Sequence, residues 1–130
     1  MSTVLEPERQ YPLFFTKTLT LAELASECVI AKLPPRAVIT EIKVYVDTAF
    51  NAATTNTLSI GDAGSATRFL NAQSISAVGP VAVTTEIGRK YTVADYLRAT
   101  YAQSGAAASA GIVRIFGEYI IEGKSSEVQP

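Results

Sequence analysis

Val38, Ile42, Val44 and Val46 share one parity of the stretch LPPRAVITEIKVYVDTAF (33–50), and Glu41, Lys43, Tyr45 and Asp47 share the other. A period of two places these sets on opposite faces of a β-strand. A strand over 38–47 is predicted, with a dry face of branched aliphatics and a wet face of charge and tyrosine. The dry face must pack on something. The wet face must hold water, substrate or a partner.

The same period recurs along most of the chain. In YPLFFTKTLTL, Leu13, Phe15 and Leu19 alternate with Phe14, Thr16, Thr18 and Thr20, a threonine-rich and aromatic strand composition. TLAELASE (20–27) is the one plausible helical turn, with Thr20 and Glu23 spaced as a capping box. CVIAKL (28–33) reads as a short strand, stopped at Pro34-Pro35 because proline cannot donate to a ladder. After the polar turn 50–56, TLSIG (57–61) turns Leu58 and Ile60 inward, and GDAGS (61–65) is a tight turn. ATRFLNA reads as a weak strand or bridge, and Gly79-Pro80 breaks the chain before VAVTTEI (81–87). Gly88-Arg89-Lys90 makes a hairpin-like connection. YTVADYLRATYA (91–102) fits helical spacing in part, but its threonines, tyrosines and valine favour strand. A small-residue loop (103–111) precedes IVRIFGEYII (112–121), which is apolar on both parities and so is expected to be covered on both faces.

About seven to nine short strands separated by Gly, Pro, Asn and Ser predict an all-β fold, an antiparallel β-sandwich of jelly-roll-like kind. The dry face of 38–47 is then expected to meet Leu58, Ile60, Val113 and Ile115 across the sandwich interior. Residues 11–122 form the expected single domain. The polar segments 1–10 and 123–130 are expected to be tails, or arms that order against a neighbouring subunit.

Composition narrows the functional choices. The 130 residues suit one domain. Charged residues are only 18%, below the roughly 25% usual for soluble domains. Eleven basic and twelve acidic residues nearly cancel and lie scattered, so there is no basic stripe for nucleic acid. Near-zero net charge favours association, pointing towards a subunit. No apolar run approaches the roughly 18 residues of a membrane span, and the amino terminus lacks a signal-peptide core. A reducing, aqueous compartment is expected.

Candidate chemistry is sparse. Without histidine, the usual neutral-pH base, the histidine-activated nucleophile pairs and most zinc sites are excluded. Cys28 is the only cysteine and reads as a small buried hydrophobe. Glu41 and Asp47, six apart on one strand face, would lie about 20 Å apart, beyond the ~5–10 Å of glycosidase carboxylates. Glu118 and Glu122 would be about 13 Å apart if extended. Solvation accounts for both pairs. GDAGSATRF lacks the order of a phosphate loop and the alternating acids of a calcium loop. Arg68, Arg89 and Arg98 are candidates to converge on an anion. Tyr45, Tyr91, Tyr96, Tyr101 and Tyr119 are candidate interface anchors, although packing suits each one singly. No catalytic, cofactor-binding or metal residue is expected, and no enzyme.

A positive proposal comes from likeness. Leu-Pro-x-x-Ala-x-Ile at 33–39, Thr-Ala-Phe-Asn at 48–51, a short strand ending in Gly61-Asp62, and Gly-x-Val-x-Ile-x-x-Glu-Tyr at 111–119 resemble small virion proteins of tailed bacteriophages. The matching elements, 33–64 and 111–121, make up about a third of the chain. Pro35-Arg36 departs from the resemblance, which has a small residue and glycine in that turn. The resemblance implies a cement or decoration protein on the phage head. Such a protein is made in the host cytoplasm, binds the major capsid protein, is often a dimer or trimer, and carries no catalytic residues. A tail or head–tail joining component is one alternative, and a ligand- or carbohydrate-binding sandwich is another.

Overall fold

The computed structural model describes residues 12–122. The expected tails at 1–10 and 123–130 lie outside the described residues. Eight strands are present among the described residues: β1 (Leu13–Thr20), β2 (Cys28–Leu33), β3 (Ala37–Thr48), β4 (Thr55–Gly61), β5 (Leu70–Ser74), β6 (Gly79–Val81), β7 (Asp95–Ser104) and β8 (Ile112–Ile121). They form two antiparallel four-stranded sheets, in the orders β1-β8-β3-β6 and β2-β7-β4-β5. Successive strands change sheet at every connection except β4 to β5, giving a jelly-roll-like sandwich. From Asp95 onward the ambiguous segment 91–102 resolves as strand β7, which places Leu97 and Ala99 in the core.

The interior is built from both inner faces. Phe15, Leu19, Ile39, Ile42, Val44, Val46, Val113 and Ile115 come from the first sheet, and Ile30, Leu33, Leu58, Ile60, Leu97 and Ala99 from the second. Leu58 and Ile60 do come from the sheet opposite β3 and share its core. Val113 and Ile115 do not: β8 is the hydrogen-bonded neighbour of β3, so they lie beside Val46 and Val44 in the same sheet. Phe50, Phe69 and Ile75 are buried from the connecting loops and close the core.

The long alternating strand is not simply alternating. Its register against β8 slips between Ile39 and Glu41, so Thr40 is an extra residue. Ahead of this bulge the inward residues are Ala37 and Ile39; after it they are Ile42, Val44 and Val46. Val38, expected inward, is therefore only half-buried and lies on the other face. Gly117 accommodates the bulge. A Cβ there would overlap the Glu41 carbonyl oxygen and stand 2.9 Å from Cζ of Phe15. Leu13, also expected inward, is exposed at the beginning of edge strand β1.

Local chemistry sets the boundaries. Thr20 and Glu23 do form a capping box: the Thr20 N–H donates to Glu23 Oε1 (3.2 Å), and the Glu23 N–H donates to Thr20 Oγ1 (3.4 Å). The box closes the end of β1, and the helical turn that follows is a 3-10 turn of three residues, Glu23–Ala25, whose N-cap is Ala22 rather than Thr20 and has no side-chain cap. Gly79-Pro80 does not merely break the chain but forms β6, with Pro80 opposite Tyr45. Proline is tolerated there because β6 is an edge strand. At the Pro34-Pro35 corner, the Ala37 N–H donates to the Pro34 carbonyl (3.2 Å), and Arg36 takes φ 69°. That is the third position of a type II turn, which favours glycine. The turn is kept although an arginine occupies it.

Candidate functional site

The carboxylates considered for acid–base work each have another task. Glu41 pairs with Lys43 (2.9 Å), and Asp47 holds Arg114 through two contacts, 2.7 Å to Nε and 3.2 Å to Nη2. Glu122 pairs with Lys90 (3.0 Å), and Glu118 Oε1 accepts from the Thr40 hydroxyl (3.2 Å). Among the described residues no group of three His, Cys, Asp or Glu side chains is placed to hold a metal. No helix among them is long and apolar enough to cross a membrane. Cys28 is half-buried rather than buried, and its thiol donates to the Glu23 carbonyl (2.7 Å). Burial and the nearby Glu23 charge push its pKa up, which disfavours the nucleophilic thiolate.

Two of the three candidate arginines do converge, on a carboxylate of their own chain. Asp62 is 4% exposed. Its Oδ1 accepts from the backbone N–H groups of Gly64 and Ser65 (both 3.0 Å). Its Oδ2 accepts from Arg68 Nε (2.6 Å) and the Tyr91 hydroxyl (2.7 Å), with Arg89 Nε at 3.8 Å. Burial alone would raise the Asp62 pKa. The hydrogen bonds from Tyr91, Arg68 and Ser65 and the Arg68 charge outweigh it, so the carboxyl sits below its ordinary range. Arg68 and Arg89 also approach Glu86 (3.7 and 3.6 Å). Arg98 is elsewhere, against Glu27 (3.3 Å).

This node ties the 61–68 turn to Tyr91. Tyr91 in turn bonds the start of β3, its N–H donating to the Ala37 carbonyl (2.8 Å). It is a structural staple. Sequence reading saw GDAGS as a turn but not Asp62 as its hub; the available signal was an aspartate opening a glycine turn with an arginine six residues on. Asn56 was missed as well. It is buried with its amide fully used, accepting from the Ala52 N–H (2.9 Å) and Tyr101 hydroxyl (2.6 Å), and donating to the Ala52 carbonyl (3.2 Å) and Ser76 Oγ (3.1 Å).

The tyrosines divide between inside and outside. Tyr91 is in the core, and Tyr101 and Tyr119 pack partly buried against it. Tyr45 and Tyr96 lie on outer faces, and those faces differ. The second sheet presents mainly Thr57, Ser59, Ser74 and Thr100, with Val29 exposed beside Arg98 and Tyr96 near Lys32. The first sheet presents Phe14, Tyr45 and Phe116, with the Arg114 guanidinium 5.4 Å from the Tyr45 ring and 6.0 Å from the Phe116 ring.

Two grooves flank Phe116. The larger, about 630 Å³, is lined by Tyr45, Pro80, Val81, Val83, Ile87 and Phe116 among others. It exists because β6 pairs only with Val44–Val46, and pairing along that edge of β3 resumes at Ile39 with Gly88 and Arg89. The chain between, 82–87, departs from the sheet, so VAVTTEI contributes only Val81 to a strand, and residues 88–90 pair with β3 instead of forming a hairpin into β7. The smaller groove, about 390 Å³, lies between Phe14 and Phe116. Aromatic residues and arginine on a face with locally paired charges are the composition of a protein interface. The outer face of the first sheet is the candidate site.

Known structures share this fold. A chain of the cyanophage Pam1 capsid asymmetric unit superposes with a TM-score of 0.76, covering 93% of this chain and 92% of that one at 22% identity. A chain of the acid-stable capsid of Helicobacter pylori bacteriophage KHP30 gives 0.58, covering 85% and 87% at 12% identity. At these identities the likeness is one of fold, and both solved chains come from phage capsids. No protein-family model and no curated protein matches the chain.

Proposed function

We propose that this is a cement or decoration protein of a phage head, in which residues 11–122 form the domain that binds the major capsid protein lattice. The observation that carries the reading is the near-complete, two-way coverage by a chain of the Pam1 capsid asymmetric unit, with no large part of either chain left over. The outer face of the first sheet supports it: aromatic, grooved and with an arginine between its rings, it has the make-up of a protein contact surface. Many such modest contacts, made together over a shell, give tight attachment by effective concentration. Self-association as a dimer or trimer fits the sparse charge of the chain, and the virion head surface is the corresponding location.

Quantitative mass spectrometry of purified particles tests this. The chain is expected in hundreds of copies, and heads assembled without it should release DNA at a lower temperature. A low copy number limited by tail symmetry would move the protein to the tail or head–tail joint. Absence from particles would refute the proposal.

A further inference from the structure

Glu41 of β3 and Glu118 of β8 stand directly opposite one another in the register, both pointing away from the core. Like charges in that relation destabilise a sheet. Glu41 is neutralised by Lys43, but among the described residues the Glu118 carboxylate is met only by the Thr40 hydroxyl. Arg114 on the same face is held by Asp47. With Lys90 and Glu122 paired at the end of the same face, four carboxylates meet three cations among the described residues, and the excess sits at Glu118.

Next to this excess lies the most exposed large apolar side chain among the described residues. Phe14 is 75% exposed and pairs with Glu118 in the register. Its ring borders the smaller groove, whose lining includes Thr16, Glu41, Arg114, Phe116 and Gly117. An uncompensated carboxylate beside two phenylalanine rings is complementary to one chemistry, a cation on an apolar stem or next to an apolar neighbour.

We propose that this groove receives a basic and apolar segment of the head shell protein. A lysine or arginine of that segment sits between Glu41 and Glu118, and an aliphatic or aromatic neighbour lies against Phe14 and Phe116. The inference rests on the shell-binding reading above and names the part of the protein that carries it. A second copy is a poorer occupant, since its matching face would bring the same excess of carboxylate, with its cations already paired. Nucleic acid is repelled by the same carboxylates.

The test measures binding of full-length protein to heads assembled without it, at low and high salt, with urea unfolding of each variant alongside. Glu118→Gln is expected to weaken binding at least tenfold and to flatten its salt dependence. Its unfolding midpoint should stay equal to or exceed that of the wild type, because a like-charge contact is relieved. Phe14→Ala should weaken binding comparably without loss of fold, whereas Glu27→Gln, in the loop beside Arg98 of the second sheet, should bind as wild type does. Wild-type binding by both Glu118→Gln and Phe14→Ala would overturn the proposal and leave the shell reading standing. Loss of self-association in these variants, with head binding intact, would assign the groove to a second copy and overturn it too. Wild-type protein that fails to bind heads at all would remove the shell reading and this inference with it.

Discussion

Removing the Asp62 carboxylate should be among the most damaging single changes in the chain. Asp62→Ala strands four donors: the Gly64 and Ser65 N–H groups, Arg68 Nε and the buried Tyr91 hydroxyl. The Arg68 side chain is only 19% exposed, so its charge loses its partner largely out of water. Each buried donor left unmade costs about 1–3 kcal/mol, but water entering the vacated space recovers part of it. Removing one member of a buried pair costs about 3–5 kcal/mol, and that is the expected loss. Against a total of about 5–15 kcal/mol for a domain, it is a large fraction. Asp62→Asn is the sharper probe. Its amide oxygen still accepts from Gly64 and Ser65, but its NH₂ meets Arg68 with a donor where an acceptor is required. Both variants are to be compared with wild type by urea unfolding followed by circular dichroism. The Asp62 pKa is lower in the folded chain than the roughly 3.9 of an unfolded aspartate. Its extra contribution is therefore complete above about pH 5 and disappears as pH falls through the folded-state value. The gap between wild type and Asp62→Asn should shrink between pH 7 and about pH 2.5. A loss under about 1 kcal/mol for Asp62→Ala, or a gap that does not change with pH, would refute the staple.

Three further outcomes are expected. If the Thr40 bulge sets which residues face inward, Ile39→Ala should cost about 2–4 kcal/mol and Val38→Ala under about 1 kcal/mol, by thermal or urea unfolding; equal costs would contradict the bulge. Gly117→Ala would drive a methyl group into the Glu41 carbonyl oxygen and should cost more than about 3 kcal/mol or abolish soluble expression. Arg36→Gly should be about 0.5–1 kcal/mol more stable than Arg36→Ala, since both lose the same side chain and only glycine is at ease at φ 69°; equal melting points would exclude strain at that corner.

Most of the architecture was legible because strand patterning is local. Inward-facing residues must be apolar at every second position, and Leu58, Ile60, Phe15 and Leu19 declared themselves without knowledge of their neighbours. The Thr20–Glu23 box and the GDAGS turn were readable for the same reason, their partners being at most three residues apart. The absence of histidine likewise limited the chemistry from sequence alone.

What stayed hidden depended on residues brought together from far along the chain. Val38 looked inward because parity assumes an unbroken ladder, and only the pairing of β3 with β8 revealed the extra residue at Thr40. Val113 and Ile115 were known to be buried but not on which side of β3, because alternation reports facing and says nothing of strand order. Asp62 became a hub through Tyr91, 29 positions away, and the Phe14, Glu118 and Glu41 surface exists only because β1, β8 and β3 lie side by side. The chain alone determined that it forms two pleated layers with little catalytic material. Which side chains share the outer face was decided by long-range strand pairing, whose partners a local pattern cannot encode.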